Sequence, residues 1–101
     1  MPPNTTYPIH RHLSADEWYI VVHGELRIQT YNSAGRTLDT YCLRPPSELA
    51  ADLNAGIGLL MKSNTFHDTS TTSEGALFVE VRPGPFDKAD TQYLSATEPH
   101  E

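Results

Sequence analysis

The sequence predicts an all-β domain, a small sandwich or barrel with at most one short helical turn. Three observations support this prediction. Short runs rich in β-branched and aromatic residues recur along the chain. Eight prolines and six glycines fall mostly between those runs, where turns are expected. No long stretch carries the apolar period of an amphipathic helix, and 101 residues suffice for one core.

The first half of the chain predicts a meander of three antiparallel strands, after an irregular or edge-strand lead-in over residues 1–8. The predicted strands are Glu17–His23, Leu26–Tyr31 and Thr37–Leu43. The dipeptide Gly24-Glu25 predicts a turn after the first strand. Residues 32–36 predict the tight loop of a hairpin between the other two.

The second half predicts three more strands. Arg44 to Ala55 is expected to be a loop, because Pro45-Pro46 excludes a central strand, with a helical turn over residues 47–53. The predicted strands are Gly58–Met61, Thr65–Thr72 and Ala76–Arg82, separated by turns at residues 62–64 and 73–75. We therefore expect a single domain over residues 1–86 and a polar C-terminal tail over residues 87–101.

Charge and composition exclude several classes of partner. The formal net charge is -6, from 13 acidic and 7 basic residues, and no basic cluster is present. Nucleic acid and anionic membrane surfaces are therefore not expected partners. Cys42 is the only cysteine, so no internal disulfide can form, and residues 1–4 lack the features of a secretory signal. We expect a cytoplasmic protein that binds a small molecule.

The candidate metal ligands begin with His10-Arg11-His12. On a strand, alternate residues point to one face at roughly 6.5 to 7 Å spacing, so both imidazoles can reach one ion. Glu17 lies an odd number of positions after His12, so it can join them only if the chain turns between Leu13 and Asp16.

His67 is the candidate fourth ligand, from the second half of the chain. Three imidazoles and one carboxylate suit a divalent transition metal and leave one or two coordination positions open. Iron, manganese, nickel, zinc and copper all accept this ligand set. His23 is interpreted as structural, with a role behind the ligands as the alternative, and His100 as a surface residue.

The strand alternation also predicts which other side chains face the site. If Glu17 points inward, Tyr19 and Val21 share its face, whereas Trp18, Ile20 and Val22 point outward against another layer. Tyr19 is a candidate to hydrogen-bond a substrate, with an ordinary core aromatic as the alternative.

Phe78, Glu80 and Arg82 share one face of the last predicted strand. Glu80 and Arg82 are candidates for an acid/base and an anion-binding group; the alternative is a solvated ion pair. Cys42 is interpreted as a packed thiol.

The motif His10-x-His12-x4-Glu17-x6-Gly24 resembles the first motif of the cupin superfamily, with Asn4 in place of its opening glycine. The second cupin motif is similar to the stretch from Gly56 to His67. Its Pro-x-Gly turn is replaced here by residues 62–64, where Asn64 can adopt the positive φ that the turn requires.

The runs EWYIVVHGELRIQTYNSAGR, GLLMKSNTFH and ALFVEVRPGPF resemble the WbuC-type cupin metalloproteins of bacterial surface-polysaccharide gene clusters. The resemblance implies a jelly-roll β-barrel, a divalent metal ion held by His10, His12, Glu17 and His67, and a homodimer. The chain is shorter at its N-terminus than those relatives, which implies that a partner subunit replaces the missing strands or that the barrel is more open.

Three functions are compatible with these features. The first is a metal-dependent enzyme acting on a small polar molecule such as a sugar or sugar nucleotide, as an isomerase, epimerase or iron-dependent dioxygenase. The second is a non-catalytic cupin that binds or senses a small molecule. The third is a vestigial barrel that no longer binds metal.

Overall fold

The computed structural model describes residues 1–45, 55–84 and 88–94, and this part of the chain is almost entirely antiparallel β-structure. The all-β prediction is confirmed. The strands are β1 (His10–His12), β2 (Glu17–Tyr31), β3 (Thr37–Leu43), β4 (Ala55–Gly56), β5 (Gly58–Met61), β6 (Phe66–Val81) and β7 (Thr91–Tyr93), with one 3₁₀ turn at Lys88–Asp90.

The strands hydrogen-bond in the order β4-β3-β2-β6-β1-β7, and β5 also pairs with β2. The two longest strands, β2 and β6, pair along most of their length. The first half of β2 lies between β5 and β6, whereas its second half lies between β3 and β6. Because its neighbours change along its length, the sheet wraps around one core instead of lying flat. The strands β3 and β4 pair in parallel, whereas the other strand pairs are antiparallel.

Two glycines that suggested turns instead lie inside the long strands. The predicted turns at Gly24-Glu25 and at residues 73–75 are wrong, because both stretches lie within the continuous strands β2 and β6. Gly24 and Gly75 have φ angles of 81° and 68°, and the register of β2 shifts on both sides of the Gly24 region. A positive-φ residue in a paired strand makes a bulge, which bends the strand without reversing it. The predicted three-strand meander is therefore one hairpin of β2 and β3.

The bulge changes which positions of β2 face inward. Before it, Tyr19 and Val21 are buried; after it, Leu26 and Ile28 are buried, so the inward set moves from odd to even positions. Both halves of β2 thus contribute to the same core. The remaining members of this core are Leu43, Met61 and Ala76.

The outward residues of β2 do not meet a second layer. Trp18, Ile20 and Val22 are exposed, and the neighbouring strand β6 presents exposed apolar side chains beside them. The prediction that these residues pack against another layer is wrong for the described residues. An apolar surface is left on the outside of the molecule.

The two other predicted turns are confirmed. In the β2–β3 loop, the Asn32 side-chain oxygen accepts hydrogen bonds from the amides of Ala34 and Arg36, both at 3.0 Å. In the turn between β5 and β6, Asn64 has a φ of 63°. Asparagine therefore occupies a backbone conformation in which glycine is the usual residue.

Both ends of the described chain are hydrogen-bonded to the sheet. The lead-in runs beside β6, where the Thr71 amide donates to Thr5 O at 2.9 Å and the Tyr7 amide donates to Thr69 O at 2.8 Å. Part of the predicted tail forms β7, which pairs antiparallel with β1.

The helical turn predicted over residues 47–53 lies outside the described residues. In the described part of the chain, no helix has the length and apolar character to span a membrane.

Candidate metal centre

The local fold brings the four predicted ligands to one place. His10 and His12 are buried on the same face of β1, while Arg11 between them is less buried. His67 on β6 is the direct cross-strand partner of His10. The chain bends at residues 13 and 14, so Glu17 can begin β2 with its buried side chain on the same side. The turn required by the odd offset of Glu17 is confirmed.

One donor atom from each of the four side chains lies within 4.8 Å of the others. His12 Nε2 lies 2.6 Å from Glu17 Oε1, and His67 Nε2 lies 3.9 Å from the same oxygen. The rings of His10 and His67 lie with their centroids 4.5 Å apart. Imidazole nitrogens and a carboxylate oxygen at this separation could bind a transition-metal ion.

The other ring nitrogen of each histidine is held by the protein. The Nδ1 atoms lie close to oxygen atoms: His10 to Pro8 O at 2.9 Å, His67 to Thr65 O at 2.8 Å, and His12 to Thr91 Oγ1 at 3.2 Å. A carbonyl can only accept, so the rings of His10 and His67 donate from Nδ1 and keep Nε2 unprotonated toward the centre when they are neutral. This is the tautomer that a metal ion requires.

The electrostatics of the cluster also suit a cation. Burial lowers the pKa of His67 to about 4 and lowers the pKa of His10, so both imidazoles are neutral near pH 7. Burial is the largest effect on Glu17 and alone would raise its pKa, but the hydrogen bond and charge of His12, with smaller contributions from Glu80 and His67, together outweigh it and the net direction is downward. Neutral imidazoles and an ionised carboxylate are the protonation states that ligate a divalent ion.

Tyr19 and Glu80 surround the carboxylate of Glu17. The Tyr19 hydroxyl lies 3.4 Å from Glu17 Oε1 and 3.2 Å from His67 Nε2, and burial raises its pKa. Glu80 stands opposite Tyr19 on β6. Although Glu80 is partly exposed to solvent, desolvation of its carboxyl group and the charge of Glu17 raise its pKa to about 7. The two carboxyl groups therefore share less than two full negative charges at neutral pH.

A cavity of about 330 Å³ opens beside the cluster. Phe78, Glu80 and Arg82 all line it, so the shared strand face predicted for them points toward the candidate centre. Arg82 Nη2 lies 3.6 Å from Asp90 Oδ2. Further lining residues come from the lead-in, β6 and β7: Met1, Tyr7, Thr69, Thr91 and Tyr93.

Some candidates lie away from the centre. His23 is exposed at the bulge of β2 and has no place behind the ligands, so that alternative is excluded. Cys42 is partly buried on β3 and is absent from the cavity wall. His100 lies outside the described residues.

The sequence reasoning missed the contributions of Tyr7, Thr91 and Tyr93 to the site. Thr91 and Tyr93 reach it because β7 pairs with β1 in the register that places Thr91 opposite His12 and Tyr93 opposite His10. The signal in the sequence was weak: one aromatic residue, Tyr93, in an otherwise polar segment.

Solved structures with the same fold were found, whereas no protein-family model and no curated protein matches the chain. The TDP-quinovose 3,4-ketoisomerase WlaRB of Campylobacter jejuni superposes with a TM-score of 0.68 at 22% identity. The sugar 3,4-ketoisomerase QdtA of Thermoanaerobacterium thermosaccharolyticum, solved in complex with TDP, gives 0.70 at 16% identity. The capsular polysaccharide assembling protein CapF of Staphylococcus aureus gives 0.70 at 18% identity.

These neighbours are longer than the present chain. The superposition covers 90%, 96% and 92% of this chain, but only 62% of WlaRB, 66% of QdtA and 24% of CapF. The similarity assigns a small cupin-like β-sandwich fold, in agreement with the all-β topology. The chemistry must be argued from the residues of this chain.

Proposed function

We propose that this protein is a metal-binding cupin that acts on a small polar molecule, a sugar or sugar nucleotide, in surface-polysaccharide metabolism. One observation carries the proposal: three imidazole Nε2 atoms and a carboxylate oxygen converge beside a cavity large enough for a small molecule. A ligand set that is wholly structural is usually closed by four tetrahedral protein ligands, whereas this one faces an open cavity.

His10, His12, Glu17 and His67 would hold the metal ion in this proposal. Iron, manganese, nickel, zinc and copper are all compatible with nitrogen-rich ligands plus one carboxylate. When bound, the ion would act as a Lewis acid toward a carbonyl or hydroxyl oxygen of the substrate.

The surrounding side chains have roles that suit isomerisation of a sugar. Moving a carbonyl group along a sugar transfers a proton from the carbinol carbon to the former carbonyl carbon, and a second proton from the carbinol oxygen to the former carbonyl oxygen. Glu80 lines the cavity and would hold and return the first of these protons at its carboxyl group. Tyr19 would keep the Glu17 carboxylate in place through its hydroxyl group. Arg82 would orient an oxygen atom of the substrate.

Two further similarities support the sugar assignment. WlaRB and QdtA are named as sugar ketoisomerases, and CapF as a protein of capsular polysaccharide assembly. The resemblance to WbuC-type cupins independently suggests surface polysaccharide. Both similarities lead to the same chemical class of substrate.

We also propose that two copies of the chain pair through the outer apolar face. This face is defined by six large side chains whose exposed fractions lie between 42% and 62%: Trp18, Ile20, Val22, Leu77, Val79 and Val81. Together they present on the order of 500 Å² of apolar surface, a large patch for a monomer and most of what each partner of a standard interface buries. A second copy supplies a matching surface, as a two-fold interface requires.

The metal site is tested with protein purified without a histidine tag. We expect about one divalent ion per chain in the wild type and in His23→Ala, whose exposed imidazole lies outside the site, and loss of at least ~90% of the metal in His67→Ala. Circular dichroism checks that each variant is folded. Wild-type protein that stays metal-free after incubation with each of the five metals contradicts the proposal.

Catalysis is tested separately with keto sugars and TDP-linked keto sugars in D₂O. Isomerisation through a proton transfer predicts deuterium at the carbon next to the carbonyl, detected by NMR, and Glu80→Gln should slow its incorporation at least about 100-fold. Metal-loaded protein that incorporates no deuterium from any of these compounds would favour the non-catalytic binding protein instead.

A further inference from the structure

We infer that the cavity takes an uncharged polyol of monosaccharide size, such as a free sugar, and not a sugar nucleotide. This inference rests on the proposed function and narrows its substrate class. It departs from the neighbour QdtA, whose structure holds TDP. Three properties of the cavity lead to it: its size, the distribution of its charges and the nature of its walls.

The size of the cavity matches a single sugar ring. Its volume is about 330 Å³. Because a water takes about 30 Å³ in the liquid, this space equals roughly eleven waters, which is enough for a hexose ring and small for a whole nucleoside diphosphate hexose. The volume also lies at the lower end of the range for small-molecule sites.

The charges of the cavity do not suit a diphosphate. Among the described lining residues, the cationic groups are Arg82, whose guanidinium lies 3.6 Å from the Asp90 carboxylate, and the terminal ammonium of Met1, which donates to Ala76 O at 2.7 Å. Glu17 and Glu80 add acidic groups to the wall, and they would offset much of the charge of a divalent ion. Pyrophosphate sites in proteins instead collect several backbone amides or cationic side chains around the phosphates. The described wall provides no such group of donors.

The walls of the cavity combine aromatic rings with hydroxyl and carboxyl groups. Tyr7 is half exposed and its ring packs edge-on against His10, with centroids 5.6 Å apart. The ring of Tyr93 also lies near His10, with centroids 5.9 Å apart, and Phe78 contributes a third ring. The electron-rich faces of aromatic rings attract the polarised C–H groups of a sugar ring. Glu80 beside them can accept hydrogen bonds from sugar hydroxyls.

The inference is tested by calorimetric titration of the metal-loaded full chain. The neutral probes are D-glucose, D-mannose, D-fructose and D-xylose, and the nucleotide probes are thymidine diphosphate and TDP-glucose. We expect at least one neutral sugar to bind with a Kd at least tenfold lower than that of TDP-glucose. Tyr7→Ala should raise that Kd at least fivefold, whereas Tyr41→Ala, on β3 away from the cavity wall, should leave it within twofold.

Either of two results overturns the inference: no neutral sugar binds, or a nucleotide probe binds more tightly than every neutral sugar. Metal content and deuterium incorporation are measured on the same preparations. A metal-loaded protein that isomerises TDP-linked keto sugars but binds no free sugar retains the proposed function and refutes the narrower substrate class. A metal-free protein refutes the proposed function, while the effect of Tyr7→Ala on sugar binding still tests the substrate class.

Discussion

The three histidines of the candidate centre are oriented by oxygen atoms before any ion is bound. Two of these oxygens are backbone carbonyls, of Pro8 and Thr65, each two residues before the histidine that it accepts from. Backbone carbonyls cannot rotate away as side chains can. The rings of His10 and His67 are therefore held with Nε2 toward Glu17, and little side-chain freedom remains to be lost when an ion binds.

The hydroxyl group of Tyr19 should contribute to metal affinity. Tyr19→Phe removes the group that lies within hydrogen-bond distance of both Glu17 and His67. We expect the metal Kd to rise about ten- to hundredfold, as for other residues that hold metal ligands in place. We also expect a loss of about 1 kcal/mol in the free energy of unfolding. Competition with a chelator measures the Kd, and urea denaturation measures the stability.

The matched control for Tyr19→Phe is Tyr31→Phe. It removes a hydroxyl group that donates to Asp68 Oδ2 at 2.7 Å, away from the cavity wall. The two variants should lose similar stability, but Tyr31→Phe should keep the wild-type metal Kd. Equal metal affinities in the two variants would show that Tyr19 does not position the ligands.

Glu25 should make the stability of the protein depend on pH. Its buried carboxylate contacts the guanidinium groups of Arg27 and Arg44. Burial alone would raise the pKa of Glu25, but the two arginines outweigh it and the net direction is downward. A carboxyl group whose pKa is lowered by folding stabilises the protein above its unfolded pKa, and this stabilisation is lost as the pH falls through the folded pKa.

Glu25→Gln should therefore reduce the free energy of unfolding by about 1 kcal/mol at pH 7, a modest value because both arginines are partly solvated. The difference from the wild type should shrink as the pH falls below about 4.5. Urea denaturation between pH 3 and 7 measures this, with the exposed Asp39→Asn as a control for removal of one negative charge. A constant difference across this range would contradict the assigned role.

At the scale of the strands, the bend of β2 depends on a close backbone contact between Gly24 and the bulged part of β6. Gly24 of β2 pairs with Ala76 of β6, next to Gly75. A Cβ atom on Gly24 would lie 2.2 Å from the carbonyl oxygen of Gly75. No side chain fits there, so the bend that brings both halves of β2 to one core requires glycine at this position.

Gly24→Ala should therefore lower the free energy of unfolding by at least about 3 kcal/mol, because backbone strain and a steric clash add. Gly84→Ala is the matched control: its φ is 71°, yet nothing lies within 4 Å of an added Cβ atom. It should cost about 1 kcal/mol, from the backbone strain alone. Equal losses in urea denaturation would mean that the contact between the bulges is not tight.

The sequence predicted the parts of the site that depend on local geometry. His10 and His12 share a face because of the strand period, and the odd offset of Glu17 required the bend that is present. Glycine was ambiguous, because a positive φ serves a turn and a bulge equally well, and only strand pairing decides between them at Gly24. Thr91 could not be assigned, because it approaches His12 through a pairing across 79 positions.

At the scale of the whole molecule, the outer apolar face predicts a dimer whose stability depends on Trp18 and Val79. Trp18 pairs across the strands with Val81, and Ile20 pairs with Val79, so the patch is continuous over β2 and β6. Trp18→Glu and Val79→Lys each place a charge in this surface. If two copies bury it, the charge must lose its hydration, and either variant should raise the dimer Kd at least about 100-fold.

Sedimentation velocity over a range of concentrations measures the association. Leu38→Lys is the control, because Leu38 is as exposed as Trp18 but lies on β3, outside the face, and should leave the dimer intact. The candidate centre lies on the interior side of β1, β2 and β6, so the monomeric variants should keep their metal. A wild-type protein that sediments as a monomer at all concentrations would contradict the dimer. A dimer that survives both charge substitutions would place the interface elsewhere on the molecule.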